Sequence, residues 1–252
     1  MQLTNNQKVY FASDFHLGIP SHEESLKREK RLCQWLDQIK HDAAHLYLLG
    51  DLFDAWMEYK NVVPKGYIRF LGKLAELRDA GIAIDIFSGN HDIWMLNYFQ
   101  KELGIAVHHN IQHLEINNKK FLIGHGDGLG PGDHGYKFLK SILRNPICQW
   151  LYRRVHPDTG IAILNYFSQL GPKHVATEKD SFKGADKEFL VQYCLDQLQK
   201  EAIDYFIFGH RHLALEYPLN DKSLYINLGD WVHYNSYAVF DGTHLSLKYF
   251  TN

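Results

Sequence analysis

Seven side chains able to bind metal ions stand in five short segments spread along the 252-residue chain. They are Asp14, His16, Asp51, Asn90, His125, His210 and His212. Carboxylate, imidazole and amide groups are together the ligands that two first-row divalent metal ions need. A carboxylate such as Asp51 can bridge two ions, which two-metal hydrolytic sites hold about 3.5 to 4 Å apart. Since the three cysteines lie away from these segments, a structural zinc site is not favoured.

An ordinary structural role is the alternative for each segment taken alone. A single His or Asp after a strand usually belongs to a turn, caps a helix or is solvated. Five such segments in one chain, each after an apolar run, are hard to explain by capping. The pattern as a whole therefore favours metal chemistry.

The elements that must position these residues read as alternating strands and helices. The runs "KVYFAS", "HLYLLG" and "IAIDIF" predict strands, with helices over about 26–39 and 67–79 between them. This alternation indicates βαβ units and a parallel sheet. The runs "KKFLIG" and "DYFIF" predict two more strands, which lead into the last two polar segments. We therefore expect the polar residues at the carboxyl ends of parallel strands, where α/β folds build their sites.

The stretch 129–203 reads mostly as helix and interrupts the strand order. Its apolar residues are interleaved with basic ones, which predicts an amphipathic helical lid. These apolar residues include Phe138, Leu139, Ile142, Leu143, Ile147, Trp150 and Leu151. The tail alternates apolar and polar residues, which predicts antiparallel strands closing a second sheet. We expect one domain, 1–252, with the helical insertion 129–203 inside it.

Composition narrows the class of protein. A net charge of −2 with 22% charged residues argues against a nucleic-acid binder with a general basic surface. The three cysteines are odd in number and far apart, which favours a reducing compartment and hence the cytoplasm. We expect no signal peptide, and no run approaches the roughly 18 apolar residues of a membrane span.

In this order, the series "DFH", "GDLFD", "GNHD", "GHGD" and "GHRH" resembles the five signature motifs of the calcineurin-like metallophosphoesterase superfamily. The resemblance implies a two-sheet α/β sandwich flanked by helices, with two divalent metal ions. Manganese is the metal it points to, with iron and zinc as alternatives. It implies that Asp14, His16, Asp51 and His212 hold the first ion and that Asp51, Asn90, His125 and His210 hold the second. Asp51 would be the bridge.

The same resemblance assigns a catalytic pair. Asp54, the second Asp of "GDLFD", would orient His91 of "GNHD", which would protonate the leaving oxygen while metal-activated water attacks phosphorus. A His whose ring proton is held by a carboxylate is fixed in tautomer. The alternative for Asp54 is a helix N-cap.

Within the superfamily the chain resembles the UDP-2,3-diacylglucosamine hydrolase family of lipid A synthesis, in its size, its "DFHLG" start and "GDLFDAW". This resemblance implies cleavage of a lipid-linked nucleotide to UMP and 2,3-diacylglucosamine 1-phosphate. Asn90, Asp133 and Tyr136 would contact the substrate. The lid would shelter the acyl chains. Its interleaved basic residues suit either an acylated, charged substrate or the anionic cytoplasmic face of the inner membrane. The alternative is an amphipathic helix that packs on the core with its basic residues in solvent.

One departure leaves alternatives open. The best-known branch of that family has Arg after the Asn of the third motif, whereas this chain has His91. It is therefore either a divergent branch with the same reaction or a paralogue that acts on another phosphoester, such as a nucleotide phosphodiesterase or a nuclease. A non-enzymatic scaffold of the same fold is a third alternative, although scaffolds commonly lose ligands and here every expected position is filled.

Overall fold

Two β-sheets packed face to face form the centre of the structure, a computed structural model that describes residues 1–4, 6–132, 134–169 and 181–251. In chain order the strands are β1 (Lys8–Ala12), β2 (Ala43–Leu48), β3 (Ala83–Phe87), β4 (Ala106–His108), β5 (Gln112–Ile116), β6 (Lys119–Ile123), β7 (Tyr205–Phe208), β8 (Ala214–Pro218), β9 (Leu224–Leu228), β10 (Ser236–Phe240) and β11 (Leu245–Tyr249). The first sheet has the order β11-β10-β1-β2-β3-β4 and the second has the order β5-β6-β7-β9-β8. The predicted two-sheet α/β fold is confirmed.

Helices cover the outer faces of both sheets. They are α1 (His22–Ile39), α2 (Ile68–Asp79), α3 (Tyr98–Leu103), α4 (His134–Leu143), α5 (Pro146–Tyr152), α6 (Pro157–Gln169) and α7 (Phe189–Leu198). Helices α1 to α3 bury their apolar residues against the first sheet, and α7 buries its own against the second. The apolar core between the sheets is lined by both, for example by Phe11 and Ile207. None of the described helices combines the length and hydrophobicity needed to span a bilayer.

Two polar side chains set where α1 and α2 begin. Helix α1 starts earlier than predicted because the Ser21 hydroxyl accepts a hydrogen bond from the Glu24 amide at 3.2 Å. Helix α2 lacks a side-chain cap of its own. The buried carboxylate of Glu29, on α1, instead accepts from the amides of Arg69 and Phe70 at 2.8 and 3.1 Å. One helix therefore caps the next.

A short helix that the sequence did not predict, α3, is capped in the same way. Glu58 is 3% exposed and accepts from the amides of Leu96, Asn97 and Tyr98. These are amides that a helix of six residues cannot satisfy internally. The carboxylate that ends the stretch "GDLFDAWME" is thus a structural group.

The tail strands depart from the prediction. Strand β9 does lie in the second sheet, but it runs parallel to β7 and antiparallel to β8. Strands β10 and β11 extend the first sheet instead, with β10 antiparallel to β1. Strand β10 is buried on both faces, since Tyr237 packs with the helices and Phe240 packs between the sheets. It therefore needs an interior position beside β1, and an alternating pattern does not identify which sheet provides one.

The predicted insertion 129–203 divides into two parts. Helices α4 to α6, which we call the cap, pack on a small apolar cluster of Met57, Tyr59, Ile93 and Trp94. The cap is also fastened by the Trp94 indole, which donates to the Leu143 carbonyl at 2.7 Å. Helix α7 is a layer of the sandwich itself. The cap is thus a separate group of helices seated next to the segment that carries His91.

Candidate metal centre

The carboxyl ends of five parallel-paired strands bring all seven predicted ligands together. Strands β1, β2 and β3 pair in parallel in the first sheet, and β6 pairs in parallel with β7 in the second. Each of the five polar segments follows one of these strands directly. The two sheets therefore present their ligands to one common site.

The predicted ligands form two groups that share Asp51, and a third group able to hold a metal ion joins His16 to Asp54 and His91. In one group, the ligand atoms of Asp14, His16, Asp51 and His212 all lie within 4.8 Å of one another. In the other, those of Asp51, His125 and His210 satisfy the same limit. The Asn90 Oδ1 atom lies 3.2 Å from His125 Nε2 and 2.8 Å from His210 Nδ1, which adds it to the second group. Asp51 is thus placed to bridge.

Three of the imidazoles carry the orientation that metal-ligating histidines show. The Nδ1 atom of His125 donates to the Leu49 carbonyl at 2.8 Å, which leaves Nε2 toward Asp51. The Nδ1 atoms of His16 and His212 face carboxylate oxygens of Asp54 and Asp230, each at 3.4 Å. An acceptor behind the ring fixes the tautomer and raises the basicity of the ligating nitrogen. The donor set and its support therefore fit divalent metal ions.

The electrostatics of the cluster also favour cations. Burial by itself lowers the pKa of His125, but the nearby Asp51 carboxylate outweighs that effect and raises it to about 10. For His16, contacts with Asp14 and Asp54 likewise overcome burial and raise the pKa to about 10. Buried carboxylates without enough compensating charge thus stabilise positive charge on the imidazoles. Metal ions would supply that charge.

The backbone at the ligands is strained. Among the described residues, five of the ligands have a left-handed φ: Asp14 (55°), His16 (43°), Asp51 (52°), His210 (66°) and His212 (52°). Such conformations cost roughly 1 to 3 kcal/mol each and are concentrated at functional sites. The site also allows close backbone approach, since a Cβ on Gly89 would come within 2.6 Å of the Asp51 amide nitrogen.

Buried polar side chains hold the ligand loops. Arg28 donates to three carbonyls of the first loop, including that of His16 at 2.7 Å. Asp92 accepts from the amides of Leu52 and Gly89, which ties the second loop to the third. Burial and then the charge of Asp51 raise the pKa of Asp92 to about 7. These contacts keep the strained loops in place.

The predicted catalytic pair lies at the edge of the first ligand group. The Nδ1 atom of His91 is 3.0 Å from the Asp54 carbonyl oxygen and 3.5 Å from its carboxylate. The amide of His91 donates to Asp51 at 2.9 Å. Asp54 thus contacts His91 mainly through its backbone, while its carboxylate faces both His91 and His16. It is not a helix cap, because no helix begins after it before α2.

Two of the predicted substrate residues, Asp133 and Tyr136, are not among the predicted metal ligands, and the structure describes Tyr136. The Tyr136 hydroxyl donates to the buried Asp127 at 2.5 Å, and Lys140 forms an ion pair with the same carboxylate at 2.6 Å. Burial, followed by the charge of Asp127, raises the pKa of Tyr136. Asp127 is two residues from His125, so Tyr136 stands beside the metal ligands. Asp133 lies outside the described residues.

Two residues of the site escaped the sequence analysis. Asp230 follows β9 and supports His212, and its "LGD" repeats the "LGD" that ends in Asp51, a signal that could have identified it. Ser168 is on the cap helix α6, and its hydroxyl contacts both Asp54 and His91. A single Ser within a helix carries no such signal.

Replacing Asp230 with Asn is expected to weaken metal binding by about 10- to 100-fold, since it removes the charge behind a ligating imidazole. Asn retains an oxygen for the amides of Val232 and His233, which Asp230 now caps. The measurement is a calorimetric titration of the metal-free protein with metal ions. Asp241→Asn is the matched control, because Asp241 caps a similar turn at Thr243 and His244. Equal affinity in the two variants would contradict the role of Asp230.

The fold and the site define a metal-dependent phosphoesterase of the calcineurin-like class, as the motifs predicted. No family model matches the sequence. A UDP-2,3-diacylglucosamine hydrolase from Porphyromonas gingivalis is 40% identical over 254 residues, covering 96% of this chain and 97% of the relative. The chain belongs to the UDP-2,3-diacylglucosamine hydrolase family.

More distant similarities were also found. A UDP-2,3-diacylglucosamine hydrolase from Photorhabdus laumondii is 28% identical over 232 residues, covering 90% of this chain and 92% of the relative. A solved dimetal phosphatase from Danio rerio matches with a TM-score of 0.47 and 11% identity, covering 98% of this chain and 96% of that one.

Proposed function

We propose that this protein hydrolyses the pyrophosphate bond of UDP-2,3-diacylglucosamine to UMP and 2,3-diacylglucosamine 1-phosphate. The single observation that carries the proposal is the carboxylate of Asp51, shared by two ligand groups at the strand ends of a chain in this family. Asp14, His16, Asp51 and His212 hold one ion, and Asp51, Asn90, His125 and His210 hold the other. When bound, such ions supply an activated water and offset negative charge on the phosphate.

We assign to His91 and Asp54 the transfer of a proton to the leaving oxygen. The Asp54 carbonyl accepts from Nδ1–H of His91, so we assign Nε2 to the phosphate. From that position the doubly protonated ring donates Nε2–H to a phosphate oxygen and then gives that proton to the leaving oxygen, which leaves a neutral imidazole with Nδ1–H still on the Asp54 carbonyl. Tyr136 and Lys140 both contact Asp127, two residues after His125 in the chain. We assign to them, together with Asn90 and Asp133, the binding of the phosphate-sugar part of the substrate.

Manganese is the metal we propose. The donor set of carboxylate, amide and imidazole without thiolate suits manganese, iron or zinc, so availability in the cell decides among them. Metal analysis of protein purified without added metal distinguishes the three.

The cap is proposed to bind the acyl chains. Most of its apolar side chains point away from the core: Phe138, Leu139, Ile142, Ile147, Trp150, Leu151, Ile163, Tyr166 and Phe167 are all at least 36% exposed. Basic side chains lie among them, and the guanidinium of Arg154 stacks on Trp150 at 4.6 Å. This composition fits an acylated, doubly charged substrate and the anionic cytoplasmic face of the inner membrane. We accordingly treat 129–203 as an insertion within one domain.

Variants of the cap test this assignment. Phe138→Ser combined with Ile142→Ser is expected to lower kcat/KM for the acylated substrate by about 10-fold or more, since each removes an apolar contact with an acyl chain. Turnover of bis-p-nitrophenyl phosphate should not change. Ile68→Ser is the control, because Ile68 is 77% exposed on α2, outside the cap. Equal loss for both substrates would mean that Phe138 and Ile142 do not act by binding the acyl chains.

A paralogue that hydrolyses another phosphoester is the second candidate. Its supporting observation is His91 after Asn90, where the best-known branch has Arg. A nuclease or nucleotide phosphodiesterase would be active on small diesters and inactive on the lipid. A scaffold without activity is disfavoured by the complete ligand set.

A further inference from the structure

A cap residue reaches the catalytic pair. Ser168 lies near the end of α6, 114 residues from Asp54 and 77 from His91 in the chain. Its hydroxyl donates to Asp54 Oδ2 at 2.6 Å, and its Oγ lies 3.0 Å from His91 Nδ1. The hydroxyl therefore joins the two side chains to which we assign the proton transfer.

The directions of the hydrogen bonds that Ser168 makes with Asp54 and His91 follow from which of these groups can donate a hydrogen. A hydroxyl has one hydrogen, and an ionised carboxylate only accepts, so Ser168 gives its hydrogen to Asp54. The distance of 2.6 Å from Ser168 Oγ to Asp54 Oδ2 is typical of a hydroxyl that donates to a carboxylate. The Ser168 oxygen is then left as an acceptor toward His91. Since the Asp54 carbonyl is also an acceptor there, Nδ1 of His91 must carry the proton.

The position of Ser168 depends on how the cap is seated. Ile161 and Leu164, about two turns and one turn before Ser168 on α6, pack against the cluster that contains Ile93 and Trp94. Ile93, a member of that cluster, is two residues after His91 in the chain. The packing that seats the cap thus also sets the distance between Ser168 and the imidazole.

We infer that Ser168 is a positioning residue through which the seated cap orients His91 and Asp54, so that the chemical step depends on the cap even for substrates without acyl chains. The inference rests on the proposed role of His91. It separates two contributions of the cap, since the outer apolar face binds the lipid and the inner hydroxyl aligns the proton donor. A defect at Ser168 should therefore appear in kcat rather than in KM.

The test compares Ser168→Ala, Ser168→Thr and the control Ser141→Ala with bis-p-nitrophenyl phosphate as substrate. Ser141 is an exposed cap hydroxyl that donates to Phe138 within its own helix. We expect Ser168→Ala to lower kcat by about 10- to 100-fold, the effect of losing a hydrogen bond to a charged group. KM and metal content should stay unchanged, Thr should restore most of the rate, and Ser141→Ala should match the wild type.

A second readout needs neither substrate nor turnover. In nitrogen-15 spectra, the Nδ1–H signal of His91 should keep its wild-type chemical shift in Ser168→Thr and Ser141→Ala and should move in Ser168→Ala, which removes the Ser168 oxygen and leaves the Asp54 carbonyl as acceptor. An unchanged kcat in Ser168→Ala, an equal loss in Ser168→Thr, or an unchanged His91 Nδ1–H shift in Ser168→Ala would each overturn the inference. Failure of the wild type to cleave the UDP lipid would instead count against the proposed function alone.

Discussion

Asp51→Asn is expected to lose both metal ions and all measurable hydrolysis together. Asp51 is the residue that the two groups of predicted ligands share, so removing its charge weakens both sites at once. The loss of metal affinity should exceed roughly 100-fold, the upper end for a residue that merely supports a ligand. Asn keeps the shape of the side chain and an oxygen for the His91 amide, which limits damage to the fold.

Metal-to-protein ratios from elemental analysis, measured beside the rate, decide this prediction. Asp37→Asn is a matched control, since its carboxylate is 57% exposed and pairs with Lys73 on the helical surface. Retention of two ions per chain by Asp51→Asn would show that Asp51 does not bridge.

His91→Ala is expected to keep both metal ions and to lower kcat by a factor of about 100 to 10,000, the usual contribution of a general acid. His91 contacts Asp54 and Ser168 through its ring and Asp51 only through its amide. Its side chain can therefore be removed without removing a metal ligand. This combination of unchanged metal content and slow chemistry separates it from the ligands.

The control for this variant is His113→Ala, because His113 is 56% exposed, pairs with Glu201 and belongs to none of the metal-capable groups of the described residues. It should behave as the wild type in both measurements. Metal loss in His91→Ala equal to that in Asp51→Asn would contradict a separate role for His91.

The positions of the ligands were predictable because they depend on a simple rule of parallel sheets. Apolar runs such as "HLYLLG" mark buried strands, and the residues after them meet at one edge. The sequence could not show that five ligands would adopt left-handed backbone, since Asp and His are enriched in that conformation but still adopt it only in a small minority of cases. That strain is maintained by distant groups such as Arg28.

Features that depend on tertiary packing escaped prediction. The placement of β10 beside β1 depends on which sheet edge is open, and the local pattern of Tyr237 to Phe240 does not contain that information. Strand β4 has three residues, too few for a periodic pattern. Ser168 reaches Asp54 across 114 residues, so its role is visible only once the cap is seated.

The sequence-based prediction for the cap was partly correct. Interleaved apolar and basic residues correctly predicted an amphipathic helical segment, but not which face would remain open. In the structure Leu143 packs on the core while Phe138 and Trp150 stay exposed. The helical period alone does not tell a buried face from a binding face. Only the packing of the cap made that distinction.

The most direct test of the proposed activity is phosphorus NMR of the manganese-loaded protein with UDP-2,3-diacylglucosamine, beside UDP-glucose and bis-p-nitrophenyl phosphate. We predict release of UMP and acylated glucosamine 1-phosphate from the lipid, at a kcat/KM well above that for either small substrate. Cleavage of the small diester without cleavage of the lipid would contradict the proposed substrate and would identify a paralogue with another phosphoester as its target.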